Sequence, residues 1–358
     1  MPMRSSRLLA LAATFSAAAC AVACGGEVEP PQPPPPPPPR PIQAPPPPPL
    51  VTAAPPPPSP PAPPLSQLEL ASLKAAAEAL NQHDARKYAS LFTWGAVHKE
   101  AAAPDVVGRD GIGDRMQLLF RSFPDFRFSF DTVWQRGNVV AVTWRWTGTD
   151  TGGFLGKKPT GRKAGVQGAS VAFFNDDGLV REIHVYEDGD TLVGQLDAKA
   201  RAGSVRPPPA DSTAAMEVIT AGSGDAGLEV AGSFYQALED GKDAQALALL
   251  REDATADDFR MSPRTARGPG EWKALLKSWR GALGSFKELP LMNQLVVGDY
   301  VISERVANGA QRGREVSVHS VDIAQMKDGK IARYWTWSNG LELDAQARVQ
   351  DKGRGKRP

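Results

Sequence analysis

Two α+β domains in tandem are predicted for this chain, on three observations. From about residue 65 to residue 200, apolar residues recur first at helical spacing and then in strict alternation. The same order returns between about 228 and 347. Between the two lies AGSVRPPPADSTAAMEVITAGSGDAG, a Pro/Ser/Ala/Gly-rich stretch of linker composition over 201–227. A length of 358 residues suits two domains.

The first domain, 65–200, opens with LSQLELASLKAAAEALNQHDARKYASLF. Leu65, Leu68, Leu73, Ala76 and Leu80 mark an apolar stripe that predicts a helix to about Asn81. Tyr88 and Leu91 continue the spacing in a second helix that starts from Asp84. VVGRDGIGDRMQLLFRSFPDF predicts a third, from about Gly111 to Ser122. The period then falls to two in FRFSFDTVWQ, NVVAVTWRWTGTD, KAGVQGASVAFF and LVREIHVYED, with the turn signals QRGN and NDDG between them. Helices first and a meander of long strands second make an α+β domain.

The second domain, 228–347, repeats that order. SFYQALEDGKDAQALALL corresponds to AEALNQHDARKYASLF, and GPGEWKALLKSWRGALGSF to GRDGIGDRMQLLFRSFPDF. LVVGDYVISERV corresponds to WQRGNVVAVTWRW, and MKDGKIARYWTWSN to FNDDGLVREIHVYED. The chain therefore reads as a tandem repeat of one fold. The first copy carries a turn-rich insert, GGFLGKKPTGRK, that the second lacks. Its cations Lys157, Lys158, Arg162 and Lys163 read as an exposed turn.

Ahead of both domains, MPMRSSRLLALAATFSAAACAVACGG has a secretory layout: Arg4 and Arg7, an apolar run from Leu8 to Ala19, then small residues. Both cysteines of the chain, Cys20 and Cys24, fall here. A cysteine after small residues at the end of such a leader resembles the bacterial lipobox, in which the cysteine becomes lipidated. Cys24 has the better spacing, which predicts a signal peptide over 1–23, lipidation of Cys24 and a membrane-anchored cell-envelope protein. Ordinary secretory cleavage nearby is the alternative. With Cys24 as anchor, the mature domains hold no thiol for a disulfide, a nucleophile or a metal. Residues 24–64 are dominated by proline runs, a composition for an extended polyproline II spacer. The last residues, 348–358, form a basic tail. A net charge of +1 gives no electrostatic case for nucleic acid.

The first domain resembles the SnoaL-like polyketide cyclases and ester cyclases of the nuclear-transport-factor-2-like superfamily. The residues that carry the likeness are the turn at Gly148, Thr149 and Gly152, the turn Gly156…Pro159-Thr160-Gly161, Asp177-Gly178, and an acid at the end of the last strand followed by Leu192, Gln195 and Leu196. They extend from about Ala76 to Leu196. The second domain resembles the wider superfamily only. The resemblance implies a cone: a bent antiparallel sheet closed by three N-terminal helices around a ligand cavity. It also implies that an aspartate near the end of the last long strand, here Asp188, acts as acid/base in an aldol ring closure without a cofactor.

Alternation in LVREIHVYED puts Glu182, His184, Tyr186 and Asp188 on one face. If Asp188 faces the cavity, His184 and Tyr186 join it as catalytic candidates, and Glu182 as a ligand contact. Trp134, Trp144 and Trp146 are expected to line the cone. A helix cap near Thr191 is an equal alternative to the acid/base reading of Asp188, with Asp190, directly before Thr191, the better cap candidate. The four histidines have no close ligand spacing, so no metal site is expected.

In the second copy, Asp188 aligns with Asn339, His184 with Trp335, Tyr186 with Trp337 and Glu182 with Arg333. An amide cannot titrate, so the second copy reads as a structural or binding domain whose two tryptophans fill its cavity or stack on a ligand. Three functions stay open: a module that binds a small hydrophobic molecule in the first cone; a cofactor-independent cyclase, isomerase or hydrolase acting on a carbonyl compound; and a structural envelope protein. The cones are expected to pair with each other or across a homodimer.

Overall fold

A computed structural model describes residues 65–343 and 346, except 102, 202, 221–225, 260–263, 285 and 312–313. The leader with Cys20 and Cys24, the proline-rich segment and the basic tail lie outside the described residues. Among the described residues no helix is long and apolar enough to cross a membrane.

The first domain begins with α1 (Leu65–Asn81) and α2 (Ala85–Ser90). Asn81 ends α1 by pairing its side-chain amide with both backbone groups of Phe128, 2.9 Å each way, which fixes the helix to the sheet. His83 takes a left-handed turn at φ 57, and Asp84 caps α2 by accepting from the Lys87 amide at 2.8 Å. Two strands that the sequence reading left out follow, β1 (Phe92–Glu100) and β2 (Val106–Val107). Next come α3 (Arg109–Ser122), then β3 (Arg127–Arg136), β4 (Val139–Thr149), β5 (Lys163–Phe174) and β6 (Val180–Tyr186), and finally α4 (Gly189–Leu196).

The connection to the second domain is not wholly irregular. Within it β7 (Glu217–Ile219) pairs in parallel with β3, giving the sheet order β2-β1-β6-β5-β4-β3-β7. The four predicted strands run antiparallel as a meander, while β1 lies parallel to β6.

The second domain has α5 (Ala226–Glu239), α6 (Asp243–Ala248), β8 (Leu250–Asp258), β9 (Arg264–Arg267) and α7 (Gly268–Leu283). Its sheet is completed by β10 (Phe286–Glu288), β11 (Leu291–Val297), β12 (Tyr300–Gln311), β13 (Arg314–Lys327) and β14 (Lys330–Ser338). The order β10-β12-β13-β14-β8-β9, with β11 also on β12, reproduces that of the first sheet. Where β3 is continuous apart from a register shift near Asp131, the second copy is split by Pro290, which has no N–H to give to the ladder.

Each helix layer packs on the inner face of its own sheet, around Phe92, Phe123, Phe126 and Ile112 in one domain and Phe234, Trp272, Leu276 and Ile331 in the other. The outer faces of the two sheets meet. Trp134, Val171 and Tyr186 of the first pack with Ile302, Ile323 and Trp337 of the second in one apolar cluster. Both faces of each sheet are therefore buried over much of their length, and this decides where the candidate residues point.

Candidate functional site in the first domain

The cone of the first domain encloses a cavity of about 650 Å³. Its wall is largely apolar, with an aromatic group of Phe126, Phe128, Phe130, Trp144, Trp146 and Phe154. Trp144 anchors its indole N–H on the Ser170 hydroxyl at 2.9 Å, so the ring face is left for the cavity. Gly168, opposite Trp144 in the sheet, makes room for it, since a Cβ there would fall 2.3 Å from the indole.

The rim includes the insert Gly152–Gly156. Buried Asp150 folds it, accepting from the Gly153 amide at 3.0 Å and from the Thr160 amide and hydroxyl at 3.0 and 2.9 Å. A Cβ on Gly152 would come within 1.8 Å of the Arg121 carbonyl oxygen, so the insert closes onto α3 only with glycine there.

Four polar side chains gather at one part of the wall: His98 and Glu100 from β1, Arg115 from α3 and Glu187 just past β6. The parallel β1–β6 register pairs His98 with Ile183 and Glu100 with Val185, and all four residues line the cavity. Arg115 is ion-paired with Glu100. Glu187 accepts from the Trp146 indole N–H at 3.4 Å. Burial pushes the Glu187 carboxyl above the usual range; the Trp146 hydrogen bond and the Arg115 charge oppose that rise, and neighbouring Asp188 adds to it. His98 is 4% exposed, and burial, with Arg115 nearby, pulls its pKa down to about 4, so the ring is neutral at pH 7. Its Nδ1 has no hydrogen-bond partner among the described residues.

The expected constellation is not brought together in this cavity. Asp188, 1% exposed, caps α4: one carboxylate oxygen accepts from the Thr191 amide at 3.0 Å and hydroxyl at 2.7 Å. The other accepts from the Gly340 amide of the second domain at 3.0 Å. The cap is thus Asp188 and not Asp190. His184 and Tyr186 lie on the outer face and both reach Glu304 of the second domain, at 2.7 and 2.8 Å. Glu182 shares that face, bonded to His184 at 2.7 Å and Lys99 at 2.5 Å, and Trp134 packs on Tyr300 across the domain contact. Of the expected lining residues, Trp144 and Trp146 do line the cavity.

The phase error has a physical cause. Strand β6 ends at Tyr186 and Asp188 is the N-cap of a helix, so alternation cannot be carried through to it. The acid in phase with the cavity-facing Ile183 and Val185 is Glu187. His98 and Glu100 were missed with strand β1. In the fold Ala96 and His98 alternate with less buried neighbours, but the residues AVHKE carry no alternation of polarity that would mark a strand.

The second domain serves as an internal control. The β8–β14 register pairs Ala256 with Tyr334 where the first domain pairs His98 with Ile183. By the same alignment Glu187 becomes Ser338, Glu100 becomes Asp258 and Arg115 becomes Leu275. Tyr235, Tyr334, Arg305 and Asp322 occupy that interior, with the Arg305 guanidinium 3.5 Å from the Tyr235 ring centre, and about 100 Å³ remains. Trp335 and Trp337 do not fill it; they lie on the outer face, where Trp337 stacks on Phe259 at 4.6 Å. A larger concavity of about 710 Å³ on this domain runs between Arg251, Asp253, Asp257, Arg267 and Arg333. Within it Arg251 pairs with Asp253 at 2.8 Å, and among the described residues its lining contains no aromatic one.

Comparison with known proteins gives one family name for both halves. Residues 71–196 match the SnoaL-like polyketide cyclase family, and residues 231–334 match the SnoaL-like domain family. Among solved structures, the chain is similar to a candidate SnoaL-like polyketide cyclase from Jannaschia sp. CCS1, at 21% identity over 37% of this chain and 94% of that one, with a TM-score of 0.33. It is also similar to IdmH, a candidate polyketide cyclase from Streptomyces antibioticus, at 24% identity over 36% of this chain and 97% of that one, TM-score 0.32. A third, a candidate polyketide cyclase from Xanthomonas campestris pv. campestris, is 16% identical over 37% and 99%, TM-score 0.33. No curated protein matches the sequence.

Proposed function

The chain is built from two SnoaL-like domains in tandem, and from that premise we propose that the first binds a small, flat, largely apolar carbonyl compound in its cavity. Glu187 is the group that exchanges a proton with the ligand. The observation that carries this reading is Glu187 itself: a carboxyl with a raised pKa in the polar part of an otherwise largely apolar cavity. A carboxyl held closer to neutrality takes up and returns protons more readily at pH 7 than an ordinary one.

Chemically, Glu187 as carboxylate removes a proton from the carbon beside the carbonyl. The C–H electron pair moves into the enolate, Glu187 becomes the neutral acid, and the reverse transfer restores it. The positive charge of Arg115 offsets the negative charge that develops. Neutral His98 stands in the same polar part of the wall, with its Nδ1 buried and without a hydrogen-bond partner among the described residues. The role that the family resemblance gave to Asp188 passes to the next residue back in the chain.

The test uses 2-tetralone, a bicyclic ketone with exchangeable α-protons. Saturable quenching of tryptophan fluorescence is expected, because Trp144 and Trp146 line the cavity. In D2O, wild-type protein should accelerate α-proton exchange, and Glu187→Gln should lose that acceleration by about 100-fold or more. Binding without any exchange that depends on Glu187 would reduce the proposal to a binding module. Absence of saturable binding would overturn it entirely.

The proposed setting is the cell envelope, with the chain anchored through lipidated Cys24; the leader composition supports this. In cells fed labelled palmitate, Cys24→Ser should abolish incorporation while Cys20→Ser preserves it. Incorporation that survives Cys24→Ser would sink the assignment.

A further inference from the structure

The wall of the first cavity is not made by the first domain alone. Asn339 and Leu341, both from the second domain, line it. They arrive there because the segments just past β6 and β14 meet at matching points beside the contact of the two sheet faces. The Asn339 side-chain oxygen accepts from the Gly189 amide at 3.2 Å, and its NH2 donates to the Ala101 carbonyl at 2.9 Å. Ala101 and Gly189 are themselves cavity residues. Leu341 then rests directly on Gly189: a Cβ on that glycine would fall 2.5 Å from a Leu341 methyl carbon. A side chain on Gly189 would push the Leu341 methyl aside, so the glycine sets how closely Leu341 approaches.

The pairing is asymmetric in its side chains. The position equivalent to Leu341 in the first domain is Asp190, whose carboxylate abuts Gly340. An apolar side chain thus reaches the first domain's cavity, and a charged one sits at the matching place beside Gly340 of the second domain.

We infer that Leu341 is a specificity-determining residue of the first domain's cavity, supplied by the second domain, and that it limits the size of the flat ligand the cavity accepts. This rests on the binding reading of that cavity. The second domain, stripped of His98, Arg115 and Glu187 equivalents, serves the site as one of its walls. Leu341 is half-buried and bonds through its amide to its own Asn339 side chain, so its methyl groups are the part that meets the cavity. Removing them lengthens the cavity, and enlarging the side chain shortens it.

The experiment measures two probes on the full chain, 2-naphthol with two rings and 1-hydroxypyrene with four. Leu341→Ala should raise the affinity for 1-hydroxypyrene relative to 2-naphthol, and Leu341→Trp should reverse that ratio by about tenfold or more, the equivalent of one lost contact of about 1.4 kcal/mol. Leu341→Met, similar in volume, should keep the wild-type ratio. A loss of stability alone would lower both affinities together and leave the ratio fixed, so the ratio separates a specificity role from a structural one. An unchanged ratio in both Leu341→Ala and Leu341→Trp, with wild type still binding, overturns the inference. If wild type binds neither probe, the binding reading falls, and the inference falls with it.

Discussion

At the scale of single residues, Glu187 sits where function and stability oppose each other. Its carboxyl is raised by burial, so the folded protein holds the proton more tightly than the unfolded chain does. Below the ordinary carboxylate pKa both states are protonated and the site is neutral to stability. As pH rises past that value the unfolded chain ionises first, and stability falls until the folded carboxyl has also titrated. Glu187→Gln removes this penalty while keeping an oxygen for the Trp146 indole. It should raise Tm by roughly 2–4 °C near pH 8 and leave it unchanged near pH 4, measured by differential scanning calorimetry. Equal Tm values for both proteins at both pH values would mean that the carboxyl is not held in a dry site. Asp188 behaves in the opposite way: it satisfies amides of both domains, and Asp188→Ala should cost about 1–2 kcal/mol as a lost cap.

At the scale of elements, much of the fold was legible because the local signals agreed with one another. The stripe in α1, the cap at Asp84 and the alternation in β4 and β5 each pointed to one structure, and the repeat doubled every signal. What was illegible was which face of a strand looks inward. Alternation identifies an inner face when the other side is wet. Here Ile183 and Val185 meet the cavity while His184 and Tyr186 meet another domain, so polarity marks neither face as outside. Strand β1 escaped notice because Trp94 and Gly95 interrupt its pattern, and with it went His98 and Glu100. An element-level test of the cavity lies in β5. Gly168→Ala places a methyl group on the Trp144 indole, which must swing into the cavity. It should cost about 1–3 kcal/mol of stability, and it should weaken 2-tetralone binding as read by fluorescence titration.

At the scale of the whole molecule, the two domains are joined by a buried polar centre inside an apolar contact. Glu304, 1% exposed, accepts from Tyr186, and from Asn293 at 2.7 Å, and pairs with His184. His184 also faces Glu182, with Lys99 and His319 nearby. Burial alone would lower its pKa, but Glu304 and then Glu182 more than offset that and raise it. A raised histidine contributes stability fully below its ordinary value and loses it as pH rises through the folded value. Glu304→Ala should therefore cost about 3–5 kcal/mol, the cost of breaking a buried pair, with the larger loss near pH 6 than near pH 9 in urea unfolding. A pH-independent loss would show that His184 is not charged in the contact.

The exchange of amides at Asp188 and Asn339 has a consequence for covalent connection. Gly340 gives its N–H to Asp188, and Gly189 gives its N–H to Asn339, so two like sites face each other across an approximate twofold axis. Two identical chains meeting this way would be obliged to seat the same residue on both sides. A pair of aspartates would crowd two carboxylates at the axis, and a pair of leucines or of aspartates would have to serve both interiors alike. Joined in one polypeptide, the halves are free of that obligation: acid can face amide, and Leu341 can stand where the first domain has Asp190. The linker does more than keep partners together, because it lets one domain specialise as the other's wall.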